Sequence, residues 1–297
     1  MAFDYYFVSV TGKYSEDLLI KLNANCLLSY LIDRKLIEKF ISYKKSGIWS
    51  GKLLVDNGAY TVWKQGGVIN RDEYLDFLNN NIDYIDYAIS LDKIPGRYQH
   101  PKSYQDIIEA AEETYDNFLY MRDNIKDKSK LIPAFHQDEP FTYLERYVNI
   151  ESVNYVCIAA HDMGTRYNWY DKCFHTIHNS NNPTVKVHCL GNSIPDIVKY
   201  FPFTSIDASS WKLIGATGNI ITSYGQLYVG TESAIKNLPE NVLSEIKSKC
   251  LLCGIDNIND LATLYSARAV YIMYELYTRS TTTPVTNQKF NTRRSLF

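Results

Sequence analysis

Residues 205–211 read Ser205-Ile206-Asp207-Ala208-Ser209-Ser210-Trp211, and they place one carboxylate at the end of a short strand-like run. Two earlier stretches repeat this arrangement, Leu53-Leu54-Val55-Asp56-Asn57-Gly58-Ala59-Tyr60 and Tyr87-Ala88-Ile89-Ser90-Leu91-Asp92. If the three strands are parallel in one barrel, their carboxyl ends lie at one face, where barrel enzymes carry their chemistry. The sequence therefore predicts that the three aspartates form one site.

Each of these aspartates also stands where a strand leads into a helix, and Asp is a favoured residue at the N-cap of a helix. For any one of them, a capping role and a site role are both open. One lies in a glycine-containing turn, and another is followed by Ala208-Ser209-Ser210-Trp211. Their threefold repetition favours a site.

The chain alternates between apolar strand-like runs and amphipathic helical patterns. This alternation predicts a single α/β domain, a (β/α)₈ TIM barrel, over residues 1–280. We expect an insertion after strand 7, over residues 209–249 with a hairpin at 220–229, and a flexible basic tail over 281–297. A doubly wound open sheet is the alternative, but no glycine-rich phosphate or dinucleotide motif follows an early strand. The eight candidate strands end at or near Tyr30, Asp56, Asp92, His136, Ala160, Gly191, Asp207 and Gly254.

Composition narrows the class of protein. The 297 residues are 45% hydrophobic and 22% charged, which allows a large core. The net charge of −2 gives no global sign of a nucleic-acid binder, whereas the 25 tyrosines suggest stacking surfaces. We find no signal peptide or membrane-spanning run, so we expect a cytoplasmic protein without membrane contact. The scattered cysteines are typical of reduced, buried residues: Cys26, Cys157, Cys173, Cys189, Cys250 and Cys253.

Three carboxylates without an evident metal set indicate covalent or acid/base chemistry at an electron-poor carbon, and no cofactor is expected. A glycosidic carbon fits this set. One carboxylate can stabilise the oxocarbenium-like transition state while another transfers the proton of the leaving group. The third could accept two parallel N–H bonds from a base edge such as that of guanine. The residues by themselves permit an N-glycoside enzyme.

The same motifs resemble those of the tRNA-guanine transglycosylase superfamily, over residues 53–211. Val55-Asp56-Asn57-Gly58-Ala59-Tyr60 is similar to its Asp-Ser-Gly-Gly/Ala-Phe/Tyr turn, and Ser90-Leu91-Asp92 is similar to its guanine-reading segment. Residues 205–211 resemble the nucleophile segment of the short, phage-encoded branch, whose studied members insert 7-deazaguanines into DNA. The resemblance implies a glycosyltransferase that exchanges guanine in a nucleic acid for a 7-deazaguanine base such as 7-cyano-7-deazaguanine.

The resemblance also implies a role for each residue. Asp207 would attack C1′ of a guanosine nucleotide and hold the sugar covalently. Asp56 would act as the general acid/base, and Asp92 would bind the edge of the base. A flipped-out nucleotide could stack on tyrosines or on Trp211. The further expected substrate contacts are Asn57, Gly58, Tyr60, His136, Gln137, His188, Gly191 and Trp211.

The sequence departs from the tRNA enzymes after the nucleophile. Those enzymes carry a zinc site of three Cys and one His, whereas here only Cys250 and Cys253 follow Asp207, and no His follows His188. We therefore expect no structural zinc, and we favour DNA over tRNA as the polymer.

Other interpretations of the same residues stay open. The alternatives are a tRNA-guanine transglycosylase, a nucleosidase, and a catalytically silent barrel that binds a nucleobase or nucleic acid. A homodimer is compatible with the sequence. Lys64, Arg97 and Lys212 follow strands and are placed to neutralise phosphates.

Overall fold

The computed structural model describes residues 3–10, 13–162 and 164–282. Its strands are β1 Asp4–Val8, β2 Asn25–Ser29, β3 Leu53–Asp56, β4 Tyr87–Ile89, β5 Leu131–Ile132, β6 Ala134–His136, β7 Tyr155–Ala159, β8 Lys186–Leu190, β9 Ser205–Ala208, β10 Asn219–Thr222 and β11 Gly225–Tyr228. Its helices are α1 Lys13–Lys21, α2 Arg34–Lys45, α3 Ala59–Gln65, α4 Arg71–Asn81, α5 Tyr104–Asn124, α6 Phe141–Val148, α7 Arg166–His178, α8 Pro195–Tyr200, α9 Ser210–Ala216, α10 Glu232–Lys236, α11 Glu240–Cys253, α12 Asp260–Thr263 and α13 Tyr265–Thr282. A 3₁₀ turn occupies Lys128–Lys130.

The strands β1 to β9 form one parallel sheet in the order β5-β4-β3-β2-β1-β9-β8-β7-β6. β5 and β6 are consecutive pieces of one strand, separated only by Pro133. The carbonyl of Ile132 accepts from the N–H of Ser90 on one side, and the carbonyl of Pro133 accepts from the N–H of Cys157 on the other, both at 2.9 Å. This strand therefore joins the two ends of the sheet. The nine segments form an eight-position barrel of the TIM type, which confirms the predicted fold class.

Alternate side chains of each strand point into the barrel or toward the helices. The larger hydrophobic cluster lies between the sheet and the helices and includes Phe7 and Val55. Asp56, His136 and Asp207 each stand two residues after an inward-facing residue, so their side chains lie at the carboxyl-terminal mouth of the barrel. The barrel interior is filled by Tyr6, Leu27, Leu54, Ile89, Ile132, Ala134, Tyr155 and Cys157.

The predicted order of strands is wrong in two details. Residues 250–255 were predicted as the last strand, but 250–253 form the end of helix α11, which Gly254 terminates with a φ of +81°. The first barrel strand is β1, so the strand that carries Asp207 occupies the eighth position and not the seventh. The segment predicted as an insertion after strand 7 therefore follows the last strand. It contains the predicted hairpin, formed by antiparallel β10 and β11.

Helix α13 returns to the barrel and packs against α1, α9 and β1. It ends at Thr282, so the first two residues of the predicted tail are helical, and the rest of that tail lies outside the described residues. Within the described ranges, no helix has the length and apolar character needed to cross a membrane.

Candidate functional site

Asp207 is fixed through one of its two carboxylate oxygens. Its Oδ1 accepts hydrogen bonds from the backbone N–H of Gly191 (2.8 Å) and from Nε2 of His188 (3.1 Å). Gly191 has a φ of +67°, and a side chain at this position would meet no atom within 4 Å, so the turn faces open space. Oδ2 makes no hydrogen bond within the described residues and is not sealed from solvent. One oxygen is therefore held in place while the other is available to a ligand.

A chain of hydrogen bonds inside the barrel holds Asp207 in place. His188 is fully buried, its Nδ1 bonds to the hydroxyl of Ser205, and that hydroxyl bonds to the hydroxyl of Tyr155. An ionised carboxylate can only accept, so Nε2–H of His188 donates to an ionised Asp207. Nδ1 of His188 is held by Ser205, which is held in turn by Tyr155. The chain thus fixes the orientation of the His188 ring and of Asp207.

Asp56 lies at the end of β3, at the same mouth. Its Oδ2 accepts from the N–H of Gly58 (3.0 Å) in the turn that begins α3. Burial, followed by the negative charges of Asp92 and Asp207, raises the pKa of Asp56 to about 7, although part of the residue still reaches solvent. A carboxyl group with this pKa can both donate and accept a proton near neutral pH.

Asp92 is joined to two side chains that hold both of its oxygens. Oδ1 accepts from Nδ2 of Asn57 (2.6 Å), and Oδ2 contacts Nε2 of His136 (2.8 Å). Nδ1 of His136 contacts Glu139 (2.9 Å), so the imidazole lies between two buried carboxylates. Burial opposes protonation of the ring, but Glu139 and Asp92 outweigh it and raise the pKa of His136 to about 10. His136 is therefore a cation at neutral pH.

Helix capping does not account for this arrangement. Asp207 and Asp92 bond to groups on neighbouring strands and loops and not to the first turn of a helix. Only Asp56 bonds to the turn that begins the following helix. The structure therefore brings the three predicted aspartates to one mouth, together with Asn57 and His136.

Trp211 does not have its predicted role. Its side chain is fully buried, its ring packs edge-on against Phe7, and Nε1 donates to the carbonyl of Val8 (3.2 Å). Because α9 begins one residue before Trp211, the indole turns into the layer between helix and sheet. The prediction that Trp211 stacks on a substrate is wrong.

Gln137 holds a loop of the protein. Its amide donates to the hydroxyl of Thr165 (2.8 Å) and accepts from the backbone N–H groups of His161 (2.9 Å) and Asp162 (2.8 Å). Both ends of the amide are therefore used to fix the loop between β7 and α7, so a contact with a base would require part of this network to break.

The rim beside the turn after β3 carries an aromatic and basic surface, which we call the rim surface. Trp63 lies between Tyr60 and Tyr98, with ring centroids 5.9 Å and 5.1 Å away. Lys64 lies over the ring of Tyr98 (5.7 Å), and Arg97 is exposed nearby. Neither cation has a carboxylate within ion-pair distance in the described part of the chain. Aromatic faces beside available cations are typical of surfaces that bind nucleic-acid strands.

The sequence-based prediction missed three residues of this site. Ser205 stands two residues before Asp207 on the same strand, so the strand period alone could have placed it in the barrel. Tyr155 and Glu139 offered no such signal. Glu139 precedes a helix, where an acidic residue is common, and only the structure shows it bonded to His136.

A groove of about 480 Å³ lies outside the mouth, between α6 and α7, and is lined by residues that include Gln137, Glu139 and Trp169. It contacts none of the three aspartates. No group of three or more His, Cys, Asp or Glu residues suited to a metal ion occurs in the part of the chain that the structure describes.

No protein-family model and no curated protein matches the chain. The chemistry of the mouth and the motifs of the three aspartate segments therefore carry the functional inference.

Proposed function

We propose that this protein is a base-exchange transglycosylase that replaces guanine in a nucleic acid, DNA in preference to tRNA, with a 7-deazaguanine. The observation that carries the proposal is the unequal hydrogen bonding of the two carboxylate oxygens of Asp207. Its Oδ1 is clamped by Gly191 and His188, whereas Oδ2 has no partner within the described residues. This geometry suits a nucleophile, because the attacking oxygen is oriented without being blocked.

The proposed reaction uses two of the carboxylates in turn. Oδ2 of Asp207 attacks C1′, the bond from C1′ to N9 of guanine breaks, and Asp56 gives its proton to the leaving base. The incoming 7-deazaguanine then loses its proton to Asp56, and its nitrogen attacks C1′ and releases Asp207. The pKa of Asp56, about 7, suits both transfers, since neither protonation state is rare at neutral pH.

The base would lie against Asp92, whose carboxylate is fixed by Asn57 and by the cationic His136. Each oxygen retains a second lone pair, so the carboxylate can still accept from the N1–H and 2-amino groups of guanine. The rim surface favours a polymer over a free nucleoside, because it adds stacking faces and cations outside the pocket.

The test is exchange of radiolabelled guanine, and separately of 7-cyano-7-deazaguanine, into duplex DNA, single-stranded DNA and bulk tRNA. We expect label in DNA, and we expect Asp207→Asn to reduce its incorporation by about a thousandfold or more. Asp138→Asn is the matched control, because Asp138 is an exposed carboxylate of the same rim, and its φ of +80° suits Asn. That variant should keep nearly full activity.

Each other outcome contradicts part of the proposal. Label in tRNA alone would assign the enzyme to tRNA, and release of guanine without incorporation would make it a hydrolase. Binding of the base without label in any polymer would favour a silent binding barrel. Full activity of Asp207→Asn would remove Asp207 as the nucleophile.

A further inference from the structure

Arg166, the first residue of α7, is a largely buried cation that forms no ion pair within the described residues. The residue is 7% exposed, and its Nε is sealed from solvent without a hydrogen-bond partner. No carboxylate within the described residues lies at ion-pair distance from its guanidinium. Burial of an unpaired charge is strongly unfavourable, so a native protein keeps one only where something compensates it. An anionic ligand would supply the missing charge.

Arg166 stands at the end of α7 that lies on the side of the mouth, close to Tyr170 and Cys189. Side chains of a helix lean toward its N-terminus, and α7 follows β7, so its N-terminus lies at the carboxyl-terminal end of the barrel. Tyr170, one turn later on the same face, bonds through its hydroxyl to Cys189 and Asn192 (both 3.3 Å). Arg166 therefore lies closer to the mouth than this contact. It is beside the loop in which the N–H of Gly191 bonds to Asp207.

The start of α7 adds a second positive element. This helix has 13 residues, and no side chain caps its N-terminus. The hydroxyl of Thr165, which stands at the N-cap, is used by Asp162 (2.7 Å) and Gln137 (2.8 Å). The free N–H groups of a first helical turn carry a partial positive charge and bind phosphate readily. Asp162 is the nearby carboxylate. Its charge acts on Arg166 through space, but its oxygens accept from Thr165 and Gly164, and it forms no ion pair with Arg166.

We propose that Arg166 and the N-terminal turn of α7 form a binding site for a phosphate group of the substrate nucleotide. β7 and β9 are two positions apart in the sheet, roughly 10 Å, a distance that one nucleotide can bridge between its sugar and a flanking phosphate. The anion site is inferred from Arg166 and the uncapped start of α7. That the phosphate belongs to the strand carrying the target guanine rests on the proposed function.

Binding of a short single-stranded oligodeoxynucleotide with one guanine tests the site without any chemistry. In wild-type protein, a neutral methylphosphonate link beside that guanine should weaken binding by roughly 10- to 100-fold. Arg166→Gln should weaken binding of the unmodified strand by a similar factor and should be insensitive to the neutral link. Lys172→Gln, an exposed cation on the same helix, should keep the sensitivity. Wild-type affinity of Arg166→Gln, or retained sensitivity to the neutral link, would overturn the proposal.

Two further measurements separate this site from the proposed activity. Inorganic phosphate and guanosine monophosphate should each raise the unfolding temperature of the wild type and not of Arg166→Gln. A response to guanosine monophosphate without a response to the neutral link would assign the phosphate to a mononucleotide. Arg166→Met should unfold at a higher temperature than wild type in phosphate-free buffer, because it removes an unpaired buried charge. If Arg166→Met unfolds at a lower temperature than wild type, and the wild type does not respond to phosphate, Arg166 has a structural role. That result would overturn the phosphate site even if base exchange is observed.

Discussion

Asp56 and Asp207 stand at the ends of two strands, but their surroundings give them different chemistry. Asp207 receives two donors on one oxygen, from a backbone N–H and an imidazole. Asp56 receives only backbone N–H groups of its own turn, from Gly58 and Asn57, and the other two aspartates act on it as like charges. Where one carboxylate of a pair attacks and the other transfers a proton, the two need different pKa values. The carboxyl whose negative charge is less stabilised by its surroundings is the one suited to hold a proton at neutral pH.

The raised pKa of Asp56 predicts a pH-dependent cost to stability. Its pKa lies near 7 in the folded protein and at its ordinary value of 3.8 in the unfolded chain, so its contribution to stability is present below pH 3.8 and is lost as the pH rises to about 7. Asp56→Asn, which has no charge to bury, should therefore exceed wild type in unfolding free energy at pH 8 by roughly 1–4 kcal/mol. The partial exposure of Asp56 favours the lower part of this range.

Urea unfolding of both proteins at pH 4 and pH 8 measures this effect. The advantage of Asp56→Asn should nearly vanish at pH 4, where the wild-type carboxyl is largely protonated in the folded protein. Asp138→Asn removes an exposed carboxyl that pairs with Lys102 and His161, so it should show no gain in stability at pH 8. An advantage of Asp56→Asn that is the same at pH 4 and pH 8 would contradict the assignment.

At the scale of single elements, the turn between β3 and α3 holds Asp56 and Asn57 in place. Gly58 has a φ of +99°, and a side chain there would come within 2.7 Å of Cβ of Leu31 and 2.9 Å of the hydroxyl of Ser29. Only glycine meets both the conformation and the close approach. The turn is therefore set by a backbone requirement as well as by the two polar side chains.

Gly58→Ala should destabilise the protein by about 2–4 kcal/mol, since it adds a steric clash to an unfavourable backbone conformation. Gly254→Ala, at the end of α11, is the matched control. Its φ of +81° and ψ of 30° are left-handed like those of Gly58, and nothing lies within 4 Å of the added carbon, so its cost should stay near 1 kcal/mol. Chemical unfolding measures both variants. Equal costs would mean that the contacts with Leu31 and Ser29 do not constrain the turn.

The same elements show what the sequence could predict. Apolar runs that end in Asp predicted β3, β4 and β9 correctly, because buried parallel strands lack alternation and end at a polar mouth. The run Cys250-Leu251-Leu252-Cys253 looked the same and is helical. Cys250 and Cys253 are buried, three residues apart, while Leu251 and Leu252 are exposed. A run of four residues is too short for its period to separate the two cases.

The sequence predicts those residues of the site that stand at the ends of strands. Asp56, Asp92 and Asp207 were placed by this rule, whereas the partners that distinguish them were not. Glu139 reaches His136 through a turn, and Trp211 is buried because a helix begins beside it. Arg166 gave no signal, since one arginine in a polar segment looks exposed until packing covers it. Contacts of this kind depend on tertiary packing, which no local pattern encodes.

For the whole molecule, closure of the barrel makes its interior a single packed unit. The strand of β5 and β6 bonds to neighbours on both sides, so no sheet edge is left among the barrel strands. Opening of the interior therefore requires loss of contacts between several strands at once. The cysteines report on such opening, because they are distributed over the barrel interior, the layer outside it and helix α11.

All six cysteines are free and buried in the folded protein. Burial also raises the pKa of Cys250 to about 12 and that of Cys253 to about 11, so little reactive thiolate forms at neutral pH. A chromogenic disulfide reagent should therefore react with none of the thiols in native protein and with all six in denaturant.

In single-cysteine variants, Cys157 in the barrel interior should react only at the rate of global unfolding. Reaction of Cys157 faster than unfolding measured by circular dichroism would show that the barrel opens locally. If only Cys250 and Cys253 react faster than global unfolding, helix α11 opens independently of the closed sheet.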